Sequence, residues 1–474
     1  MLTATPQLRN EIYYNISYHT SQQAFPTIHL SIGIITMILQ ANLLYSGDLR
    51  RFCDIIKKLK LQILLIRSEM NMKYLLILTD GMADYKISEL GNKTPLQFAQ
   101  TPNMDKLAGI SEIGLAKTVP LNYPPGSDVA NLSVLGYDPR QYYTGRSPLE
   151  AVSMGVALDP SDLALRCNLV TLSAETDYRD KTMVDYSSGE ISSEESAQLI
   201  AALKNELNSE TFNFHPGISY RHLLVWKNGS GKSLKLVPPH DISGQAIQAY
   251  LPDGQDSSPL LDLMVRSEAI LTDHPVNQAR RQKGLNPATS IWLWGEGTKP
   301  ALNSFQDKYG LQGSVVAAVD LVRGLGLCAG LTPIKVEGAT GSIVTNFTGK
   351  ARAALDELQR GQDFVYLHIE SPDEAGHQGE LEKKIWAIEQ IDREVIGLVM
   401  SELDKFEDLR ILIMPDHPTP LSVRTHTSDP VPFMLYDKNN PVKSAVAVYD
   451  EDTALSGRLI DNGHELMDYF IFGK

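Results

Sequence analysis

Residues 74–78 (Tyr-Leu-Leu-Ile-Leu) form an apolar run with no polar break, and the run stops at Thr79-Asp80-Gly81. A strand with one wet face alternates polar and apolar residues. An unbroken run is what a strand covered on both faces needs, as inside a parallel sheet. Parallel strands need crossover connections, usually helices, so this stretch directs the chain to the α/β architectures. It also places a carboxylate where strand becomes loop, the edge at which open α/β sheets bind ligands. A single Asp there caps a turn more often than it binds anything.

The pattern recurs. Residues 364–369 are a second run, apolar except for His368, followed by Glu370-Ser-Pro-Asp373-Glu-Ala-Gly-His377. Residues 410–414 are a third, apolar after Arg410, followed by Pro415-Asp416-His417. His426-Thr-Ser-Asp-Pro430-Val-Pro-Phe433 then leads into a strand at 433–436. Parallel strands bring their carboxyl ends to one edge, so Asp80, Asp373, His377, Asp416, His417 and His426 are expected together. Three carboxylates and three imidazoles suit two borderline divalent ions such as Mn²⁺, Zn²⁺ or Co²⁺. Two such ions about 4 Å apart form a clamp for phosphoryl transfer.

Pro124-Pro125-Gly126 forces a loop, and Ser127-Asp128 opens a helix running to about residue 135. On local grounds Ser127 reads as an N-cap. The same geometry suits a nucleophile, whose hydroxyl would lie among free backbone N–H groups. Downstream, Thr144-Gly145-Arg146-Ser147-Pro148 adds a cation. Thr101-Pro102-Asn103-Met104-Asp105 reads as an ordinary helix start, with Thr101 as the cap.

Between about residues 159 and 286 the texture changes to short alternating strands (221–226 and 233–237), a Glu-rich helix near 193–207, and turns. This reads as an inserted α+β domain. Asn228-Gly-Ser-Gly231-Lys232-Ser233 has the ending of a phosphate-binding P-loop, but Trp226 stands where its first glycine should be, so it is a hairpin turn. A domain inserted opposite a catalytic edge can supply substrate-binding side chains. The candidates are Arg146 outside it and Arg166, Asp185, Arg221, His222, His240, Asp241, Arg280 and Arg281 within it. The catalytic domain is then 72–158 and 287–474, with the run at 290–294 returning to its sheet.

The net charge of −14 argues against nucleic acid as the partner. An anionic substrate is compatible with it, because bound cations reverse the field locally. Three cysteines, distant and odd in number, show neither disulfide nor metal spacing and point to a reducing cytoplasm. Residues 30–44 are apolar but short and interrupted, so no membrane partner is expected. Residues 1–71 lack any motif and read as an extension preceding the working protein. A protein beginning at Met72 is therefore expected to stay soluble and active; insolubility or lost activity would overturn that expectation.

In this order, Asp80, Pro125-Gly-Ser127-Asp, Asp373-x-x-x-His377, Asp416-His417 and His426-Thr-x-x-Pro-Val-Pro resemble the alkaline phosphatase superfamily. Thr101-Pro-Asn-Met-Asp105, the segment 124–139 ending Leu-Gly-Tyr-Asp-Pro, Thr144-Gly-Arg-Ser-Pro-Leu-Glu-Ala151 and Trp292-Leu-Trp-Gly295 narrow the likeness. They are similar to its cofactor-independent phosphoglycerate mutases of the archaeal-type branch. The resemblance covers 72–474. It implies a mostly parallel sheet flanked by helices, with an inserted smaller α+β domain.

The resemblance further implies a reaction that needs no 2,3-bisphosphoglycerate. Ser127 would take the phosphoryl group of 3-phosphoglycerate and return it to the 2-hydroxyl. Asp80, Ser127, Asp416 and His417 would hold one metal, and Asp373, His377 and His426 the other. Mn²⁺ is the first expectation, with Zn²⁺, Co²⁺ or Mg²⁺ as alternatives. The substrate would be a small phosphorylated hydroxy acid. Relatives in the same branch imply a rival reaction, homoserine phosphorylation, and a plain phosphatase is a third. The number of subunits stays open, a homo-oligomer included. Asn131 stands where the better-known bacterial branch has a histidine.

Overall fold

The computed structural model of the protein describes residues 72–443 and 448–473; the expected extension at 1–71 lies outside them. The apolar runs pair as their lack of alternation requires. In chain order the strands are β1 (Lys73–Thr79), β2 (Glu112–Ala116), β3 (Leu163–Leu172), β4 (Met183–Asp185), β5 (Phe212–Ile218), β6 (Arg221–Trp226) and β7 (Ser290–Gly297). They continue with β8 (Gly313–Val316), β9 (Thr332–Ile334), β10 (Phe364–Ile369), β11 (Leu409–Met414), β12 (Val431–Asp437) and β13 (Arg458–Ile460).

The larger sheet has the order β13-β2-β12-β11-β1-β10-β8-β9. β1 lies at its centre, parallel to both β10 and β11. Both faces are covered, which is why these strands carry no alternation. Leu75, Ile77, Val365, Leu367, Ile411 and Ile413 belong to one core. Tyr74, Leu76, Leu78, Tyr366, Leu412 and Met414 belong to the other. Burying each such side chain is worth roughly 1.5–3 kcal/mol, an upper estimate given a compact unfolded chain. β12 alone runs against the others, antiparallel to β11 and β2. Its beginning therefore lies at the edge where β1, β10 and β11 end, and the segment leading into it, with His426, arrives there too.

The smaller sheet contains β3 to β7, with β3 flanked by β6 and β7. The strand expected to return the chain to the large sheet, β7, instead pairs antiparallel with β3. The crossing back thus follows Gly297, not residue 286. An apolar run records that both faces of a strand are covered, but not by which sheet's neighbours. Residues 233–237 form no strand, only a bridge between Lys235 and Asp253. Among the described residues no helix is long and apolar enough to cross a membrane.

Two local expectations change. Thr101 makes no cap bond to the helix Pro102–Ala108. Asp392 does this instead, its carboxylate accepting from the backbone N–H of Asn103 at 3.2 Å and of Met104 at 2.7 Å. Asp392 lies where the long helix starting at Leu381 widens to a π-turn, Ile391–Ile396. Ser127 is likewise not an N-cap: Gly126 holds that position and Ser127 is the first residue of the helix Ser127–Val134.

Candidate active site

With capping excluded, the Ser127 hydroxyl points elsewhere: its Oγ lies 3.1 Å from Nε2 of His417. Asn131, one turn on, donates through Nδ2 to the Ser127 carbonyl at 2.8 Å and to Asp416 Oδ2 at 2.7 Å. The Tyr366 hydroxyl donates to Asn131 Oδ1 in turn. The start of the serine helix is thus fixed against the middle of β10 and the loop after β11.

Asp416 and His417 follow β11 and are fully buried. Asp416 Oδ1 accepts from the backbone N–H of Gly81 at 3.3 Å and of His417 at 3.0 Å. His417 Nε2 lies 3.3 Å from Asp416 Oδ2 and 3.7 Å from Asp80 Oδ1. Burial pushes the His417 imidazole down to about 4, so it is neutral at physiological pH. Burial, then the neighbouring Asp416 and Asp373 carboxylates, raise Asp80 well above the usual carboxylate range. Among the described residues, Asp80 Oδ1 has no hydrogen-bond donor within reach. Packed carboxylates with an unmatched buried acceptor are what a divalent cation stabilises.

The third loop explains Gly81. Its φ is +62°, and a Cβ there would come within 2.6 Å of Asp373 Cα, Asp373 Oδ1 and Thr419 Oγ1. Only glycine allows β1's loop this close to the Asp373 loop. Asp373 and His377 share the helix Ser371–Gln378, one turn apart. His377 Nδ1 faces the Arg424 carbonyl at 3.0 Å, and His426 Nδ1 faces the Pro125 carbonyl at 2.9 Å. Carbonyls only accept, so each Nδ1 carries its proton and each Nε2 turns inward. The two Nε2 atoms lie 2.9 Å apart, with Asp373 Oδ2 3.3 Å from one and Oδ1 3.6 Å from the other. This is a three-ligand cluster with converging lone pairs, and the residues fit a metal ion.

Burial disfavours charge on His377, yet Asp373 outweighs it and holds the ring up to about 9. Without a cation, His377 thus keeps its proton below about pH 9, and a metal ion must expel it. Divalent-cation affinity should rise with pH to about 9 and flatten above, with proton release below. Calorimetric titration in buffers of different ionisation enthalpy measures that release; no release at pH 7 would contradict the assignment.

His368, which sequence reasoning did not select, lies within the buried half of the site. It forms a candidate ligand group with Asp80 and Asp416. Its Nε2 is 3.1 Å from Asp80 Oδ2 and its Nδ1 3.1 Å from Glu370 Oε1. Glu370 in turn pairs with the fully buried Lys350. Against burial, Glu370 and Asp80 hold His368 up to about 10, so it is better placed as a cation steadying Asp80 than as a ligand. The available signal was a histidine interrupting an otherwise apolar central strand.

The remaining candidates divide. Arg146, Arg166, Arg221 and His222 line one cavity of about 380 Å³, with Ala318, Asp320, Gly341 and Ser342 on the catalytic side. Arg146 Nε and Arg166 Nε grip opposite oxygens of Glu150, each at 3.0 Å. Arg166 also lies over the Trp294 ring at 4.7 Å. Burial pushes His222 down to about 3; its Nδ1 accepts from Gly217 N–H at 3.0 Å, and its buried Nε2 has no partner among the described residues. Asp128, beside Ser127, is among the groups that hold Arg146 charged against burial. His240 packs edge-on to Trp294 and Tyr186, and Asp241 lies beside it.

Three candidates go elsewhere. Asp185 accepts from the backbone N–H of Ser187 and Gly189 and from Asn286, closing a turn. Arg280 is buried and paired with Glu195, donating also to the Ser188 and Asn286 carbonyls. Arg281 is exposed in the last turn of its helix. None lines the cavity, because their helix and turn pack around the smaller sheet, away from it.

A family model described as 2,3-bisphosphoglycerate-independent phosphoglycerate mutase matches residues 108–277. A probable 2,3-bisphosphoglycerate-independent phosphoglycerate mutase of Geobacter sulfurreducens is 53% identical over 401 residues, 84% of this chain and 100% of that protein. The 2,3-bisphosphoglycerate-independent phosphoglycerate mutase of Methanosarcina mazei is 49% identical, over 82% of this chain and 96% of its own. Among solved structures, the cofactor-independent phosphoglycerate mutase of Thermoplasma acidophilum is similar at a TM-score of 0.58. It is 26% identical, with 85% of this chain and 99% of that one covered.

Proposed function

The chain belongs to the 2,3-bisphosphoglycerate-independent phosphoglycerate mutase family, and from that premise we propose that it works through a phosphoserine on Ser127 with two divalent cations, Mn²⁺ first among them. As an enzyme it is an isomerase, an intramolecular phosphotransferase. The observation that carries the mechanism is the Ser127 hydroxyl, released from capping and 3.1 Å from His417.

Asp80, Ser127, Asp416 and His417 would hold one cation, and Asp373, His377 and His426 the other. Bound there, the cations would supply the positive charge that lowers the serine hydroxyl's pKa and neutralises phosphoryl oxygens. The chain's own residues do the rest. Asn131 fixes the first turn of the helix, so the hydroxyl holds one direction. The helix N-terminus favours the negative charge that gathers on a phosphoryl group. The guanidinium groups of Arg146 and Arg166, splayed by Glu150, would bind the substrate carboxylate across the cavity. Retention of the glycerate while its phosphate resides on Ser127 separates a mutase from a phosphatase.

Phosphorus-31 NMR of the Mn²⁺-loaded protein with 3-phosphoglycerate tests the reading. The 2-phosphoglycerate resonance should appear without added 2,3-bisphosphoglycerate. Free phosphate alone would indicate a phosphatase, and turnover only with homoserine and a phosphoryl donor would indicate the rival kinase. Arg221 is exposed and stacks on Tyr220, at 5.0 Å, so Arg221→Ala should leave the fold intact. Its KM for 3-phosphoglycerate should rise about tenfold with kcat little changed, the size of one charge-assisted hydrogen bond, ~1.5 kcal/mol.

A further inference from the structure

Lys384 and Asp84 form a buried ion pair that the mechanism above does not use. Lys384 lies on the helix Leu381–Gln390 and is fully buried, on the apolar stripe with Ala387, Ile388 and Ile391. Its Nζ donates to Asp84 Oδ2 at 2.7 Å, to the Thr419 carbonyl at 2.8 Å and to the Ala83 carbonyl at 3.4 Å. Asp84 also accepts from the backbone N–H of Tyr85 at 2.7 Å and of Leu421 at 3.2 Å. Thr419 N–H donates to the Ala83 carbonyl at 3.2 Å. The Leu421 and Thr419 amide bonds join the loop after β1, which starts with Asp80, to the loop after β11, which carries Asp416-His417, and Lys384 donates to both loops.

Thr419 extends the tie to the third loop. Its hydroxyl donates to Asp373 Oδ1 and lies 3.3 Å from His417 Nδ1. A Cβ on Gly376, one turn from Asp373, would come within 2.5 Å of the Thr419 carbonyl, so the helix with Asp373 and His377 is pressed against the same residue.

We propose that Lys384, acting through Asp84 and Thr419, is the positioning residue that sets the spacing between the two cation positions. Among the described residues its hydrogen bonds go to Asp84, Thr419 and Ala83, and to none of the proposed cation ligands. One buried ammonium, satisfied by two carbonyls and a carboxylate, draws the Asp80 and Asp416-His417 loops to one separation. Thr419 then delivers Asp373 to that frame. Residues that orient ligands in this way commonly change metal affinity by 10–100-fold when altered. The inference rests on the reading of the site as a two-cation centre.

The test is calorimetric titration of metal-free protein with Mn²⁺, alongside kcat, KM and melting of the metal-free form. Lys384→Met strands a buried carboxylate and risks misfolding, so Lys384→Met/Asp84→Asn, which keeps acceptors for Tyr85 and Leu421 without an unpaired charge, is the deciding variant. It should fold, bind Mn²⁺ about 10–100-fold more weakly and lose kcat to a similar degree, with KM within about threefold. Thr419→Val should shift Mn²⁺ affinity in the same direction, and Thr419→Ser should restore it. A pair serving stability alone would lower the melting temperature and leave Mn²⁺ affinity unchanged, which overturns the proposal. Should the double variant not fold, unchanged affinity in Thr419→Val overturns it equally. Wild-type protein binding no Mn²⁺ would instead refute the two-cation reading, and this inference with it.

Discussion

Ser127→Ala is expected to fold and to bind metal, yet to lose turnover by about 10⁴-fold or more. The size of the effect follows from what the hydroxyl does not do. A capping serine exchanged for alanine costs about 1 kcal/mol of stability and leaves chemistry alone. Here Gly126 occupies the N-cap and no cap bond exists to lose. The Asn131 tie runs to the Ser127 carbonyl, not to the side chain, so the helix start survives the substitution. What disappears is the oxygen facing His417, the atom assigned to carry the phosphoryl group between the two substrate positions. Mass spectrometry of wild-type protein quenched during turnover should find phosphate on the peptide containing Ser127. An active alanine variant together with an unphosphorylated peptide would remove the nucleophile from the mechanism.

Chelation should abolish activity, and Mn²⁺ or Co²⁺ should restore it. Asp373 is balanced by His377 and His426, but Asp80 and Asp416 beside it have little more than His368, the Gly81 and His417 amides and Asn131. The resulting rise at Asp80, from burial and then from its neighbours, describes a site built for more positive charge than the polypeptide supplies. His426→Ala should remove one of two converging Nε2 lone pairs while its position, half-buried beside the Pro125 carbonyl, tolerates a smaller side chain. The variant should fold, hold about one metal ion in place of two, and lose activity by about a hundredfold or more. Metal content by mass spectrometry separates this from misfolding. Full activity in rigorously metal-free wild-type protein would refute the two-cation reading.

The sequence by itself determined the architecture and most of the central edge. Residues 74–78, 364–369 and 410–414 lack alternation because both faces of their strands are covered, and that is a local property legible from hydrophobicity alone. Asp80, Asp373 and Asp416-His417 follow those runs directly, so parallel pairing was enough to assemble them. The tertiary structure decided what depends on partners distant in the chain. Whether Ser127 caps its helix or faces a histidine depends on where His417, 290 residues later, is brought. An apolar run at β7 could not reveal which sheet would pair with it, and β3 took it. Arg280 carries the same guanidinium as Arg166, and Asp185 a carboxylate, but packing around the smaller sheet occupies them with carbonyls and a turn. Lys384 looks like one more lysine on a helix until the loop 300 residues before it supplies Asp84. A charge inside an apolar stripe shows that a partner must exist, because burying it alone costs too much. Only the folded chain shows which residue that partner is.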